Sequence, residues 1–289
     1  MSKLVLGTVQ FGLNYGINNK TGVIDNISLF DLLDFAYDNG VDTLDTAYNY
    51  GESEKRLGQI INSEKLHFDI VSKTPKGSNS QNISHYVQES FERLRIDFFH
   101  GYLLHDFNDY LNDKDIFKYL IQLKESGCIQ KIGFSLYNPE QLETLFYDNV
   151  VFDLVQIPYN LADRRFEKYF EALKHRNIEI HARSVFLQGL FFMKQNELPN
   201  KLKPVGNFLD KLNELSKEIN RSIENISLNF VLQNNFIDKA VIGVDTINQL
   251  NKNIKTAKNK LKKEAMELIG KELTKIVFPS ELFVPSNWD

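Results

Sequence analysis

The sequence of 289 residues predicts a closed barrel of eight parallel strands, each followed by a helix, which is the (β/α)8 or TIM barrel. Three observations support this fold. Short apolar or β-branched runs alternate with amphipathic helical stretches along the whole chain. The strand ends recur at intervals near the roughly 31 residues per unit of such a barrel. No linker rich in proline, glycine or serine divides the chain, so we expect one domain over residues 1–289.

Eight runs have the length and composition of buried strands. They are Leu4–Thr8, Thr43–Asp45, Asp69–Lys73, Phe98–Leu104, Lys131–Ser135, Leu154–Pro158, Glu179–Arg183 and Lys239–Gly243. An open, doubly wound sheet would show the same alternation of strands and helices. However, no Gly-x-Gly-x-x-Gly motif follows the first run, which counts against a dinucleotide-binding sheet of that kind. We therefore predict the barrel.

The intervals between the strands show helical periodicity. Ile27–Asn39 carries apolar residues at helical spacing and ends before Gly40, a residue type that commonly terminates helices. Pro139 occupies a position typical of a helix start. The other predicted helices are Ile83–Leu94, Ile116–Gly127, Pro139–Phe146 and Phe166–Asn177.

One interval, residues 188–225, has room for additional structure. It contains Pro199 and Pro204, followed by the helical pattern Phe208–Ile219. Insertions after a barrel strand lie at the catalytic face and often cover it, so we expect an extra loop or helix there. The alternative is a surface excursion with no part in the site.

Composition limits the classes of function. The net charge is −4, and the lysine-rich segment Lys255–Lys263 is typical of a solvated helix face, so we expect no nucleic-acid partner. No stretch approaches the roughly 20 apolar residues of a membrane helix, and no signal peptide is indicated. The single cysteine, Cys128, excludes an internal disulfide and a multi-cysteine zinc site. We expect a cytoplasmic protein that acts on a small molecule, while its oligomeric state stays open.

The strand ends indicate where the chemistry lies, because the functional side chains of barrel enzymes lie at the carboxyl ends of the strands. These ends carry Asp45, Lys73, His105, Ser135, Gln156 and Arg183, with Tyr50 just beyond the second strand. A carboxylate, a lysine, a histidine and a tyrosine gathered at one face predict a catalytic site.

These groups suit the reduction of a carbonyl. The reaction needs a hydride, which only a cofactor can supply, and a proton for the developing alkoxide. The phenol of Tyr50 can supply the proton, provided that Lys73, held by Asp45, lowers its pKa from about 10. His105 can hydrogen-bond the carbonyl oxygen. The alternatives are structural: the carboxylate and the lysine as a salt bridge between strands, the tyrosine as a surface aromatic, and the histidine as the partner of a loop carbonyl.

Five segments of the chain form a characteristic series. They are Leu44–Glu54 followed by Leu57-Gly58, Val71–Thr74, Leu103–Asp106, Ile132–Tyr137 and Gln156–Asn160. Together they resemble the strand motifs of the aldo-keto reductase family, and the likeness extends from Leu4 to about Ile254. The resemblance implies that the protein reduces an aldehyde or ketone to an alcohol with NAD(P)H.

The resemblance also implies roles for individual residues. The implied catalytic residues are Asp45, Tyr50, Lys73 and His105, with Tyr50 as the general acid. Ser135 and Gln156 would hold the nicotinamide carboxamide, and Tyr159 is a candidate partner of the nicotinamide ring. The implied sites for the phosphates and the adenosine comprise Arg183, Ser184, Leu187, Gln188, Gly189, Gly243, Gln249 and Asn253.

Asp245 is the departure from the family pattern that bears on the cofactor. Relatives that use NADPH commonly carry Lys or Arg just after the eighth strand, where this chain reads Gly243-Val244-Asp245-Thr246. The family favours NADP(H), with NAD(H) as the alternative, and an acidic side chain here would repel a 2′-phosphate. Asp245 or Thr246 could instead cap the following helix.

Two further departures concern the ends of the chain. The first predicted strand begins at Leu4, so we expect no hairpin across the bottom of the barrel of the kind that many relatives carry. The short tail contains Trp288, which could cover the pocket or pack on the barrel wall.

The substrate and two other functions stay open at this point. Arg164 and Arg165, after the sixth strand, could meet an anionic substrate or cap a helix, and we favour a keto-sugar or another polar carbonyl. One alternative function is a catalytically weak NAD(P)-binding sensor or subunit. Another is a lyase or isomerase in which Lys73 forms a Schiff base.

Overall fold

The barrel predicted from the sequence is confirmed. The computed structural model describes residues 2–19 and 22–288. Each strand pairs in parallel with its neighbours along the chain, and the eighth strand pairs with the first, which closes the sheet. The strands are β1 Leu4–Gly7, β2 Thr43–Asp45, β3 Asp69–Lys73, β4 Phe99–Leu104, β5 Ile129–Ser135, β6 Leu154–Pro158, β7 Glu179–Arg183 and β8 Lys239–Gly243.

Helices cover the outside of the barrel. They are α1 Asn26–Asp38, α2 Ser53–Glu64, α3 Ile83–Leu94, α4 Phe107–Asn112, α5 Ile116–Glu125, α6 Pro139–Tyr147, α7 Phe170–His175, α8 Gly206–Glu218, α9 Ile223–Leu232, α10 Ile247–Lys258 and α11 Lys263–Leu273. Each predicted helix is present, although α7 is shorter than predicted because the 3-10 turn Glu167–Tyr169 precedes it. Helices α2, α4, α9 and α11 have no counterpart among the predicted helices.

The core has two parts. A continuous layer of buried apolar side chains fills the space between the strands and the helices. Inside the barrel, Val71, Leu103 and Leu154 form a separate small cluster. Because side chains alternate between the two faces of a strand, Lys73 lies on the same face of β3 as Val71. The lysine therefore points into the barrel at its carboxyl end.

The long interval after β7 contains additional structure. Three 3-10 turns, Leu187–Phe192, Gln195–Glu197 and Asn200–Val205, lead into α8. Helix α8 packs against α11, and α9 then leads the chain back to β8. The interval therefore holds the helix that the pattern Phe208–Ile219 predicts.

An ion cluster lies toward the amino-terminal ends of the strands, opposite the carboxyl ends. Glu179 of β7 accepts hydrogen bonds from the Lys131 ammonium group and from the ring of His181, whose Nε2 lies 2.7 Å away. His181 is fully buried. The ring of His100, in β4, lies 3.4 Å from Lys131 Nζ. Glu179 thus links β5 and β7 at this end of the barrel, and His100 of β4 lies beside them.

Candidate active site

A cavity of about 430 Å³ opens at the carboxyl ends of the strands. Its wall includes three of the four predicted catalytic residues, Asp45, Tyr50 and His105. The fourth, Lys73, is fully buried beneath them. The barrel thus brings together at one face the titratable groups that the strand ends predicted.

Asp45 and Lys73 form a buried ion pair below the cavity. Lys73 Nζ lies 2.7 Å from Asp45 Oδ1 and donates to the carbonyl oxygen of Thr46 at 2.8 Å. The other carboxylate oxygen accepts a hydrogen bond of 2.6 Å from Gln156 Nε2. Burial lowers the pKa of Lys73, and Asp45 opposes this shift. Both carboxylate oxygens are engaged, so the ammonium group is fixed in position.

Tyr50 lies close to both this ion pair and His105. The centre of its ring is 5.2 Å from Lys73 Nζ and 5.9 Å from the centre of the His105 ring. Burial, and then the charge of Asp45, raise the pKa of Tyr50 well above its ordinary value of 10.0. This direction corrects the lowered pKa expected from the lysine, because the lysine's charge is compensated by a carboxylate at 2.7 Å. The phenol is therefore held protonated.

Close packing of two loops sets the position of Tyr50. The Ser53 hydroxyl donates to the carbonyl oxygen of Thr8, at the end of β1, over 3.1 Å. Gly12 approaches the same loop so closely that a β-carbon there would lie 1.8 Å from the Tyr50 carbonyl oxygen. Gly51 has a φ of 57°, a left-handed conformation that glycine adopts without steric cost. Two glycines thus allow the tyrosine to sit over the barrel.

His105 is the neutral polar group on the other side of Tyr50. Burial, followed by the charges of Lys73 and Arg183, lowers the pKa of His105 to about 3. The backbone N–H of His105 donates to the Thr74 hydroxyl at 3.2 Å. A neutral imidazole can donate one hydrogen bond to a carbonyl oxygen.

Most residues predicted to bind the cofactor also line this cavity. They are Ser135, Gln156, Arg183, Ser184, Gln188, Gly189, Gly243, Gln249 and Asn253. Tyr159 and Leu187 do not line it. Tyr159 packs against Phe170 and Phe230 in the outer layer, and its hydroxyl donates to Glu167 at 2.8 Å. The side chain of Leu187 is fully buried.

The turn after β7 has a strained backbone. Ser184, Leu187 and Gln188 have φ values of 59°, 46° and 54°, whereas Phe186 has a φ of −106°. Phe186 has a right-handed backbone conformation and Leu187, the next residue, a left-handed one. Such a succession can direct backbone N–H groups to one side, an arrangement that binds anions. Gln188 Nε2 donates to the Tyr15 hydroxyl at 2.8 Å, which joins this turn to the loop after β1.

Asp245 also lines the cavity, and it does not cap α10. Thr246 is the cap, since its side chain accepts the backbone N–H of Gln249. Asp245 Oδ1 is buried and has no hydrogen-bond partner among the residues that the structure describes. Glu224 and Lys252 line the same cavity. Glu224 and Lys252 were not predicted from the sequence. They lie on helices α9 and α10, whereas the predicted site residues were sought mainly at the strand ends.

Three residues whose roles the sequence left open lie outside the cavity wall. Arg164 pairs with Glu167 at 2.9 Å, and Arg165 pairs with Asp163 at 2.8 Å. Trp288 packs in the outer apolar layer, and its indole N–H donates to a backbone carbonyl at 3.0 Å. Both arginines are therefore neutralised, and the tryptophan belongs to the barrel wall.

Within residues 2–19 and 22–288, no group of acidic, histidine and cysteine side chains is placed to hold a metal ion. No helix in the same residues has the length and apolarity needed to cross a membrane. A cytoplasmic location stays a prediction.

The fold is a (β/α)8 barrel with a cavity at the carboxyl ends of its strands, and comparison with known proteins identifies the family. The model of the aldo/keto reductase family matches residues 3–273. The chain therefore belongs to this family, whose members are oxidoreductases that act on carbonyl compounds.

Curated relatives are distant. The chain is 24% identical to an uncharacterized oxidoreductase of Bacillus subtilis, over 93% of this chain and 91% of that protein. It is 22% identical to the L-glyceraldehyde 3-phosphate reductase of Escherichia coli K12, over 78% of this chain and 77% of that enzyme. Its match to an aldo-keto reductase of Bacillus subtilis, at 26% identity over 58% of this chain, spans about half of that relative's length, 53%.

Solved structures show the same fold. The glycerol dehydrogenase from Gluconobacter oxydans superposes with a TM-score of 0.77 at 20% identity, covering 96% of this chain and 94% of that one. The holo form of an aldo-keto reductase from Bacillus halodurans gives a TM-score of 0.75 at 20% identity, with the same coverage of 96% and 94%.

Proposed function

We propose that the protein reduces an aldehyde or ketone to an alcohol, with NAD(P)H as the hydride donor and Tyr50 as the general acid. The observation that carries this proposal is the position of Tyr50, whose protonated phenol lines the cavity between His105 and the buried ion pair of Asp45 and Lys73. NAD(P)H, when bound, supplies the hydride. The residues of the chain must then supply the proton and hold the carbonyl.

Proton transfer from Tyr50 follows from these surroundings. Its raised pKa keeps the proton on the phenol at neutral pH. Transfer becomes favourable as the carbonyl oxygen turns into an alkoxide, which is a stronger base than the phenolate. The Lys73 ammonium group, 5.2 Å from the centre of the Tyr50 ring, would offset part of the cost of the phenolate that remains, although burial and Asp45 outweigh it in the pKa. His105, as a neutral donor, would hydrogen-bond the same oxygen and orient the carbonyl.

The cavity wall fits a dinucleotide. Gln156 gives an amide N–H to Asp45, so its carbonyl oxygen is left to accept from the nicotinamide carboxamide, beside Ser135 on the paired strand. In the strained turn, the N–H groups of Leu187 and Gly189 donate to carbonyl oxygens of the turn itself, which leaves those of Phe186 and Gln188 to suit the phosphates. We assign the adenosine to the end of the cavity formed by Gln249 and Asn253 of α10.

A polar substrate is supported by the wall near Tyr50 and by the relatives. Thr8, Gln10 and Tyr15 bring hydrogen-bonding groups to the cavity, and the buried Gln10 Oε1 has no partner among the described residues. By their names, one relative reduces L-glyceraldehyde 3-phosphate and a structural neighbour is a glycerol dehydrogenase. We therefore propose a keto-sugar or another polar carbonyl compound.

A two-part assay tests the proposed function. Fluorescence titration measures the binding of NADH and NADPH, and loss of reduced-cofactor absorbance follows turnover of a panel of aldehydes, ketones and keto-sugars. We expect at least one carbonyl to be reduced. Tight cofactor binding with no oxidation across the panel would instead favour an NAD(P)-binding sensor or subunit. A Schiff base on Lys73 is disfavoured, because its nitrogen is a buried ammonium group bound to Asp45.

Asp245 provides a test of where the adenosine ribose lies. Asp245→Arg is expected to raise the affinity for NADPH relative to NADH by about tenfold or more, since a charge-assisted hydrogen bond to a phosphate contributes about 1.5–3 kcal/mol. Fluorescence titration gives both Kd values. Asp245→Asn is the matched control, which removes only the charge and should shift the ratio less in the same direction. An unchanged ratio in both variants would place the ribose elsewhere.

The pH dependence of reduction follows from the two titratable groups at the carbonyl. His105, with a pKa of about 3, is neutral, and Tyr50, with a raised pKa, is protonated across about pH 5–9. We therefore expect kcat/KM for reduction to change less than about threefold over that interval through these groups. Initial rates at constant ionic strength measure it. An inflection near about pH 6.5 that disappears in His105→Asn would contradict this expectation.

A further inference from the structure

Arg183, the last residue of β7, lines the cavity with its guanidinium group held in place. The guanidinium carbon lies 3.9 Å from the centre of the Tyr137 ring. Nη2 donates to the carbonyl oxygen of Leu136 at 3.0 Å, and Nη1 lies 3.4 Å from the Ser184 hydroxyl. A stacked and hydrogen-bonded arginine loses little freedom when it binds a ligand.

This cation has no carboxylate partner. No Asp or Glu oxygen in the described part of the chain lies within ion-pair distance of Arg183, and its buried Nε–H has no acceptor. Lys73 and the two arginines after β6 are, by contrast, each paired with a carboxylate. A positive group on the cavity wall that lacks a carboxylate partner suits an oxyanion.

Arg183 lines the same cavity as Tyr50 and His105. Tyr137, on which it stacks, lies two residues beyond Ser135. Burial has the largest effect on both pKa values: it raises the pKa of Tyr50 and lowers the pKa of His105. The charge of Arg183 also acts on both groups and lowers each pKa. A substrate beside Tyr50 therefore meets this uncompensated charge.

We propose that Arg183 binds an oxyanion group of the substrate, a carboxylate or a phosphate, so that the preferred substrates are anionic aldehydes or ketones. This inference rests on the proposed reduction at Tyr50. It also changes the assignment of Arg183, which sequence reasoning placed at the cofactor's phosphates. The planar fork of guanidinium donors matches the spacing of two oxygens of either group.

Matched pairs of substrates test the proposal. One pair is succinic semialdehyde and its methyl ester, and the other is glyceraldehyde 3-phosphate and glyceraldehyde. The variants are Arg183→Met, Arg183→Lys and, as the control, Arg176→Met, since Arg176 also stacks on an aromatic ring, at 4.3 Å from Phe146, but does not line the cavity. The measurements are kcat and KM for each substrate, Kd for NADH and NADPH, and thermal melting to confirm folding.

We expect the wild-type protein to favour the charged member of at least one pair by about 10- to 100-fold in kcat/KM, the effect of a charge-assisted hydrogen bond. Arg183→Met should bring this ratio close to one, mainly through KM, and Arg183→Lys should retain part of it. Arg176→Met should behave as wild type. Cofactor Kd should stay within about threefold in every folded variant.

Two results would overturn the inference and leave reduction at Tyr50 intact. The first is equal use of charged and neutral substrates by the wild-type protein. The second is a loss of cofactor affinity of about tenfold or more in Arg183→Met with the substrate ratio unchanged, which would return Arg183 to the cofactor's phosphates. If no carbonyl is reduced at all, the proposed function fails. Calorimetric titration with succinate and inorganic phosphate then still decides whether an oxyanion binds in an Arg183-dependent manner.

Discussion

Tyr50→Phe is expected to lower kcat for carbonyl reduction by about 10²- to 10⁴-fold, the range that a positioned general acid contributes. The substitution removes only the hydroxyl. The ring keeps its edge contact with His105 and its place over Lys73, so the cavity keeps its shape. Kd for NADH and NADPH should therefore stay within about threefold of the wild-type values.

Tyr48→Phe is the matched control for this experiment. Tyr48 lies two residues earlier in the same loop, but its hydroxyl donates to Glu89 and its ring lies against Arg93, away from the cavity. We expect it to retain near-normal turnover. Near-normal turnover in Tyr50→Phe, with the variant folded and cofactor bound, would contradict the proposed mechanism.

Lys73→Met should have the largest combined effect on stability and activity. Lys73 and Asp45 are 0% and 4% exposed, so removal of the ammonium group leaves a carboxylate buried without its counter-charge. Breaking a buried ion pair in this way costs about 3–5 kcal/mol in the free energy of unfolding. Turnover should fall as well, because the phenolate formed at Tyr50 loses the positive group 5.2 Å from its ring.

The double variant Lys73→Met with Asp45→Asn separates the two effects. It removes both charges, so stability measured by denaturant unfolding should recover in large part. Reductase activity should stay low, because no ammonium group is restored near Tyr50. If the double variant regained activity together with stability, the ion pair would be structural only.

The strands could be predicted almost to the residue. Each is a short apolar or β-branched run bounded by polar loops, and β3 and β7 have the predicted bounds Asp69–Lys73 and Glu179–Arg183. Helix α2 was harder to find, because Ser53, Glu54 and Gly58 occupy its buried face. A helix that buries polar residues shows little of the apolar periodicity that predicts helices.

Tyr159 was a candidate partner of the nicotinamide ring, but it does not line the cavity, and the sequence contained a signal against it. Side chains alternate between the two faces of a strand, so a residue three positions beyond Gln156 points away from the cavity, toward the helices. Leu187 has no such signal. Its burial depends on a φ of 46° in an irregular turn, which no periodicity reveals.

The pKa of Tyr50 was also beyond prediction from the sequence. The residue types show that a lysine can approach the phenol, but not that a carboxylate lies 2.7 Å from that lysine or that the phenol is buried. The unpartnered Nε of Arg183 is a similar case, because it depends on where neighbouring carboxylates lie.

The ion cluster at the far end of the barrel sets an acid limit on the fold. Burial alone would raise the pKa of Glu179, but hydrogen bonds and charge from His181 and Lys131 lower it below its ordinary range. A carboxylate with a depressed pKa stabilises the fold above its unfolded pKa of about 4.3, and this contribution is lost as the pH falls toward the folded value. As the pH falls below about 4.3, acid inactivation of this protein should therefore begin with loss of stability from this cluster, while Tyr50 is still protonated and His105, with a pKa of about 3, is still neutral.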